Sequence, residues 1–281
     1  MGGVINNGIL DGVILALTMN GKRLWTESIR TPSRDIVSAV SFSETKGVLY
    51  VAGESYGALH SQVNNGVGDV FVAQYDPTGN RQWTRMLGSK VTDLAVDLLR
   101  DSSGGIYLVG EALDDIGGVK LDCSSVFIAH YDGNASRKWL RPMQSAYQVE
   151  GADAMLDGQK KNIYVAGQIS ESKCSNTNGC RDLMLAKFSL ASRSWQWTKK
   201  MNTAPSCMSG SEYAYSVTSQ PNSGRPVMLA EGPAAAKKFI SKQGFFLAEL
   251  DASKKLVGKT IAGAGTKDKP RVLKTSAQNS F

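Results

Sequence analysis

The sequence is poor in histidine and contains no long apolar run. Histidine occurs only twice among 281 residues, at His60 and His130, so any Ser-His-Asp triad would have to recruit one of these two. Apolar runs stay far below the ~18 residues of a membrane-spanning helix. The glycine-rich strings GGV and GAG follow no strand-to-helix pattern that would bind phosphate. We therefore predict no catalytic residue, no metal site, no cofactor and no membrane span.

Positive charge is concentrated towards the carboxyl end. The formal net charge is +7, and lysines cluster after Lys237 in the strings AAAKKFISK, ASKKL and TKDKPR. A nucleic-acid surface would interleave arginine and aromatic residues with these lysines, and both are sparse there. The pattern favours a solvated basic face, and no nucleic-acid partner is expected.

A repeat of about 57 residues runs through the chain. The alanine of LALT, VAQY, IAHY, LAKF and LAEL recurs at spacings of 57, 56, 57 and 62 residues, at Ala16, Ala73, Ala129, Ala186 and Ala248. A tryptophan follows the first four, at Trp25, Trp83, Trp139 and Trp197. A second ladder of tyrosine and glycine has the same period, at Tyr50, Tyr107 and Tyr164 with Gly53, Gly110 and Gly167. In the fourth repeat we align Met228 and Glu231 with this ladder. Two ladders with one period identify a repeat architecture.

Each period contains four strand signals, for example DVFVAQYD, RQWTRML, TDLAVDLL and GIYLVGEA. The period-2 alternation excludes a helical solenoid, and four short antiparallel strands per repeat are typical of a propeller blade. We predict an all-β chain that forms a β-propeller of about five four-stranded blades, or part of a larger one. It would be a single domain over 1–281, with repeats at roughly 11–68, 69–124, 125–181, 182–243 and an incomplete 244–281. The repeated tryptophan is interpreted as packing between blades.

Residues 69–83, DVFVAQYDPTGNRQW, and residues 101–110, DSSGGIYLVG, resemble the β-propeller repeat known as SBBP. The resemblance covers nearly the whole chain and implies a propeller in a secreted or cell-surface protein. It transfers no catalytic residue, because the motif contains none. By analogy with related propellers, the TDLAVDLL strand would be innermost and the tryptophan strand outermost. The string YDPTGNRQW also resembles the repeat of quinoprotein dehydrogenases, which bind pyrroloquinoline quinone.

The two ends of the chain do not form a complete blade on this plan. INNGILD (5–11) matches VNNGVGD (63–69) in register, which predicts a loop at the start of the chain. The chain would end near an inner strand at 271–276, leaving one strand of the shared blade missing. We expect a piece of a longer protein, while a tolerated gap or a strand from another chain remain alternatives.

The long links between strands should lie at one end of the blades, at 54–68, 111–124, 168–181 and 232–243. Because loops carry function more often than the scaffold does, this long-loop face is the predicted binding surface. Its candidate residues are exposed aromatics, a histidine and paired oxygen-bearing side chains, namely Tyr56, His60, Asn64, Asn65, Asp114, Asp115 and Tyr147.

All four cysteines map to this face: Cys123, Cys174 and Cys180 lie in the long links, and Cys207 lies in the exit loop 200–211 of the fourth tryptophan strand. Their even number and loop placement favour disulfides in an oxidising compartment over free thiols. The sequence does not choose among the three pairings, and the spacing is poor for zinc. A glycosylation sequon begins at Asn134, in a short turn at the opposite end.

These features predict a non-enzymatic structural or binding module, extracellular or at the cell surface. Its partner would be another protein, further copies of itself or a glycan, bound at the long-loop face. The alternative is a propeller enzyme, quinoprotein-like or of another kind.

Overall fold

The computed structural model describes residues 2–6, 10–173, 181–201, 212–220, 224–232, 244–250 and 256–260. These residues contain nineteen β-strands and no helix, and hence no helix long and apolar enough to cross a membrane. The chain divides into two compact units, Met1–Gln144 and Ser145–Phe281.

The first unit contains three antiparallel sheets, which we call blades 1 to 3. Blade 1 has the order β1 (Gly2–Asn6), β2 (Leu10–Leu17) and β3 (Arg23–Ile29). Blade 2 has the order β4 (Asp35–Ser43), β5 (Val48–Ser55), β6 (Asp69–Tyr75) and β7 (Arg81–Leu87). Blade 3 has the order β8 (Asp93–Arg100), β9 (Ile106–Ala112), β10 (Ser125–Tyr131) and β11 (Arg137–Pro142).

The second unit contains two further four-stranded antiparallel sheets. Blade 4 has the order β12 (Tyr147–Leu156), β13 (Asn162–Lys173), β14 (Arg181–Ser189) and β15 (Ser194–Met201). Blade 5 has the order β16 (Tyr213–Ser219), β17 (Pro226–Gly232), β18 (Gly244–Leu250) and β19 (Leu256–Thr260). Consecutive strands are neighbours in every sheet, with the tryptophan strands β7, β11 and β15 at one edge. The predicted all-β propeller class is confirmed.

The start of the chain differs from the prediction. Residues 2–6 form β1, which pairs with β2 so that Asn6 lies opposite Leu10. The register with VNNGVGD predicted a loop here, and that prediction is wrong for these residues. Only three residues separate β1 from β2, whereas 13 separate β5 from β6, so the preceding GGVIN segment is held beside β2.

The fourth repeat is displaced by one residue from the predicted alignment. Met228 lies opposite Ala248, as Val51 lies opposite Ala73. The residue at the tyrosine position is therefore Val227. Correspondingly, Ala230 takes the place of the ladder glycine, and Glu231 takes the place of the residue that follows it.

This correction reveals a third ladder, of residues that follow the ladder glycine: Glu54, Glu111, Gln168 and Glu231. Each first strand of blades 2 to 5 has a register irregularity beside this position. The Oε1 atom of Glu54 accepts a hydrogen bond from the Ala95 amide of blade 3 at 2.7 Å. In the second unit, Gln168 Nε2 donates to the Ala214 carbonyl of blade 5 at 3.2 Å. Glu54 and Gln168 thus each satisfy a backbone group of the adjacent blade next to its bulge.

Aromatic residues connect blades within the first unit. Trp25 Nε1 donates to the Pro77 carbonyl of blade 2 at 2.9 Å. The Tyr50 hydroxyl donates to the Gly104 carbonyl of blade 3 at 2.6 Å and accepts from Gln74 Nε2 at 2.8 Å. Blades 1 and 2, and blades 2 and 3, are therefore joined by aromatic side chains that bind the short turns of the next blade.

Candidate functional site

Three links that connect the strands of blades 2 and 3 lie at the same end of these sheets. These links are 56–68 between β5 and β6, 88–92 between β7 and β8, and 113–124 between β9 and β10. Since the strands alternate in direction, these connections share one end of the antiparallel sheets, while the short turns occupy the other. The first unit therefore has a long-loop end.

A pocket of about 490 Å³ opens at this end. It is lined by residues 86–90, by Asp115, Gly117 and Gly118 of the β9–β10 link, by Asn65 of the β5–β6 link, and by Arg137 of β11. Its volume lies within the range typical of small-molecule sites. Apart from Met86 and Leu87, the lining residues are polar, charged or glycine.

Asp69 supports the pocket from beneath. It is fully buried at the start of β6, and its Oδ2 accepts hydrogen bonds from Asn65 N at 2.8 Å and Asn65 Nδ2 at 3.2 Å. A Cβ atom on Gly88 would lie 2.1 Å from Asp69 Oδ1, so the carboxylate requires a glycine there. Burial raises the pKa of Asp69.

Asp93 supports the adjacent part of the pocket. It is also fully buried, and its Oδ2 accepts a hydrogen bond from Ser89 N at 2.6 Å. Its own amide donates to the Gly68 carbonyl at 2.8 Å, which places the start of β8 beside the start of β6. Burial, with a smaller contribution from the charge of Asp69, raises the pKa of Asp93 to about 6.

The two carboxyl groups are incompletely hydrogen-bonded. Among the described residues, Oδ1 of Asp69 and Oδ1 of Asp93 are buried and have no hydrogen-bond partner. Neither residue lines the pocket, so both act on it through Asn65, Gly88 and Ser89. We regard them as positioning residues of the pocket wall.

Two cations face the pocket, Lys90 from the β7–β8 link and Arg137 from the start of β11. Arg137 is hydrogen-bonded to the buried Tyr131 side chain. Burial raises the pKa of Tyr131, while the charge and hydrogen bond of Arg137 oppose that effect. The Tyr131 contact therefore anchors the guanidinium at the pocket.

Of the seven predicted binding-face residues, only Asn65 and Asp115 line the pocket. Asn64 braces its own link, donating from Nδ2 to the Ser55 carbonyl at 3.0 Å. Tyr56 lies beneath the Arg34 guanidinium at 5.6 Å. Asp114 accepts a hydrogen bond from the Asp115 amide at 2.8 Å. The remaining two are His60, described below, and Tyr147, which is an exposed residue of the second unit.

The two histidines belong to different blades and different environments. His60 Nδ1 lies 2.9 Å from Thr84 Oγ1, and burial, followed by the charge of Arg81, lowers its pKa to about 4. His130 Nε2 lies 2.6 Å from Asp101 Oδ2 at the short-turn end. Burial alone would raise the pKa of Asp101, but hydrogen bonds led by that of His130 lower it.

Cys123 is buried and disulfide-bonded. Cys174, Cys180 and Cys207 lie outside the described residues, so the pairing stays a prediction. Asn134 is exposed in the β10–β11 turn, where its amide donates to Asp132 Oδ1 at 2.9 Å. Within the described ranges, no group of three metal-binding side chains is placed to hold a metal ion.

Sequence reasoning missed Lys90, Arg137, Asp69 and Asp93. One signal was available for Asp69, since an aspartate begins the third-strand motif at Asp11, Asp69 and Asp182. Arg137 also belongs to a ladder, since an arginine stands two residues before the tryptophan at Arg23, Arg81 and Arg137. Of these three, only Arg137 lines the pocket.

The chain is similar in fold to several solved structures. The structural alignment with an ACO/RPE65 chimera covers 92% of this chain and 56% of the chimera, with a TM-score of 0.51 and 11% identity. A Synechocystis ACO mutant covers 90% and 55%, with a TM-score of 0.50 and 11% identity. An ulvan lyase of polysaccharide lyase family PL25, bound to a GlcA(1-4)Rha3S saccharide, covers 91% and 69%, with a TM-score of 0.50 and 13% identity. The chain spans just over half the length of the first of these structures.

No family model matches the sequence. No curated protein matches it either. The resemblance to SBBP repeats therefore stays a prediction.

The expectation of a non-enzymatic structural or binding module is contradicted. One of the structures described above is, by name, a polysaccharide lyase, which is an enzyme. These relatives agree better with the alternative of a propeller enzyme and do not test its quinoprotein form. At 11–13% identity they establish the shared fold alone, so the reaction has to be inferred from the pocket.

Proposed function

We propose that this chain is a carbohydrate-active propeller enzyme whose substrate binds in the long-loop pocket of the first unit. The observation that carries the proposal is the pocket itself, a polar opening of about 490 Å³ that is lined by the ionisable side chains of Lys90, Asp115 and Arg137. Sugars present hydroxyl groups that pair with amides, carboxylates and backbone groups, all of which line this pocket. The fold shared with a saccharide-bound lyase supports the substrate class.

Cleavage of a glycosidic bond requires a group that moves a proton. Among the lining residues, Asp115 and Lys90 are the ionisable side chains able to do so, because arginine keeps its proton in proteins. Asp115 Oδ1 accepts the Leu121 amide at 2.8 Å. The second oxygen of Asp115 has no hydrogen-bond partner within the described ranges, which leaves it available to substrate. We assign proton transfer to Asp115.

The test is depolymerisation of a panel of neutral and acidic polysaccharides, followed by size-exclusion chromatography and mass spectrometry of the products. Wild-type protein should shorten at least one substrate. Asp115→Asn keeps the shape of the side chain and should lower kcat about 10²–10⁴-fold, as expected for a general acid or base, with KM little changed.

Asp122→Asn is the matched control, since Asp122 is an exposed carboxylate of the same link and does not line the pocket. It should cleave at the wild-type rate. Failure of the wild-type protein to cleave any substrate, or an Asp115→Asn variant as active as wild type, would overturn the proposal.

A further inference from the structure

The pocket places two cations where a bound chain would meet them. Lys90 is exposed in the link that leaves blade 2, and Arg137 begins the last strand of blade 3. Neither forms an ion pair with a carboxylate of the described residues. Their neighbour Lys138 does, since its Nζ lies 2.6 Å from Asp132 Oδ2. Lys90 and Arg137 therefore bring positive charge that the described protein does not neutralise.

The β9–β10 link leaves the Arg137 guanidinium accessible. Ile116 and Val119 exchange backbone hydrogen bonds at 3.1 and 2.9 Å around Gly117 and Gly118. Both glycines have positive φ, 58° and 83°, which suits the two central positions of a type I′ turn. A Cβ on Gly117 would lie 2.4 Å from Leu140 Cδ2 and 3.5 Å from Arg137 Nη1, so the steric clash would be with Leu140. The turn passes within van der Waals distance of the guanidinium, and Arg137 stays exposed beside it.

We infer that Lys90 and Arg137 form a subsite for an anionic group, a carboxylate or a sulfate ester, on the carbohydrate substrate. The inference rests on the proposed function for the substrate class. An arginine guanidinium can bind either group through two parallel hydrogen bonds, and the lysine adds a point charge. Asp115 would repel an anion, so the anionic group should bind to the two cations and away from the Asp115 carboxylate.

The experiment measures binding, by calorimetry, of three oligosaccharides of equal length: an oligogalacturonate, a sulfated oligosaccharide and a neutral one. At least one acidic probe should bind, more weakly as salt is raised, and the neutral probe at least tenfold more weakly. Which acidic probe binds identifies the group as carboxylate or sulfate. Lys90→Gln and Arg137→Gln should each weaken acidic binding about tenfold, in line with one lost charge-assisted hydrogen bond.

Lys138→Gln is the control, because it removes a positive charge from the same strand at a residue outside the pocket, and it should bind like wild type. If Arg137→Gln disturbs folding through Tyr131, Lys90→Gln decides the question. Arg137→Lys, which keeps the charge and loses the fork geometry, should bind at an intermediate strength. Equal binding of neutral and acidic probes, or wild-type binding by Lys90→Gln, would overturn the subsite.

The two proposals fail differently. Acidic oligosaccharide that binds through Lys90 and Arg137 without being cleaved would retain the subsite and overturn the enzyme. Cleavage restricted to neutral polysaccharides would retain the enzyme and overturn the subsite.

Discussion

Replacement of Asp93 by asparagine tests the electrostatics beneath the pocket. The folded protein holds the pKa of this buried carboxyl near 6, against 3.8 in its ordinary environment. The difference corresponds to about 3 kcal/mol. The folded state therefore binds this proton more tightly than the unfolded chain does.

The contribution of Asp93 to the free energy of unfolding depends on pH because proton binding and folding are linked. The contribution of Asp93 to stability is fully present below about pH 4 and is lost as the pH rises through about 6. Asparagine cannot ionise but can still accept the Ser89 amide. Relative to wild type, the free energy of unfolding of Asp93→Asn should rise by about 2 kcal/mol between pH 4 and pH 7, because the unfolded carboxyl is already partly ionised at pH 4.

His60 changes the stability of the folded protein in the opposite direction over nearly the same pH range. Its pKa of about 4 in the folded state, against 6.5 ordinarily, contributes stability that is present above pH 6.5 and lost as the pH falls through 4. The two effects oppose each other in wild type, and the pKa values of Asp69 and Asp101 are shifted as well, so the wild-type profile sums several groups. The prediction therefore concerns the difference between variant and wild type.

The assay is urea unfolding at pH 4 and pH 7, followed by tryptophan fluorescence. Asp122→Asn, which changes an exposed carboxylate, is the control and should match wild type at both pH values. An Asp93→Asn variant whose stability relative to wild type is the same at pH 4 and pH 7 would refute the reasoning.

Two further variants test contacts in the first unit by the same unfolding measurement. Gly88→Ala brings a methyl group against the Asp69 carboxylate and should cost about 1–3 kcal/mol; an unchanged midpoint would show that the carboxylate can move aside. Tyr50→Phe removes the hydrogen bond to the Gly104 carbonyl and leaves Gln74 without its acceptor. It should cost about 1–3 kcal/mol, and a loss below about 0.3 kcal/mol would contradict the assigned contact between blades.

Strand order was predictable from the sequence because the same pattern recurs and each occurrence supports the others. The anchor alanines all lie in third strands, and the tryptophans mark the fourth strands. In the first repeat the anchor is displaced by one residue, since Ala16 lies opposite Trp25 whereas Ala73 lies opposite Thr84. Two further local features escaped this reasoning. The short link between β1 and β2 has no parallel in the other repeats, and the one-residue displacement at Met228 shows only in its pairing with Ala248.

The site was only half predictable, for a physical reason. Asn65 and Asp115 stand in long links, where composition alone marks them as candidates. Lys90 and Arg137 come from separate blades and meet at one pocket only because the β9–β10 link crosses towards β11. Asp93 shares its repeat position with Asp35, and each accepts the amide of a residue four earlier, Ser89 or Thr31. That ladder does not predict the raised pKa of Asp93, which depends on burial beside Asp69.

The most direct test of the pocket as the substrate site is a crystal structure of the Asp115→Asn protein soaked with an acidic oligosaccharide that the wild-type protein cleaves. We predict density for the saccharide in the long-loop pocket, with its anionic group between Lys90 and Arg137 and a glycosidic oxygen beside residue 115. Saccharide bound elsewhere on the chain, with this pocket empty, would contradict the assignment.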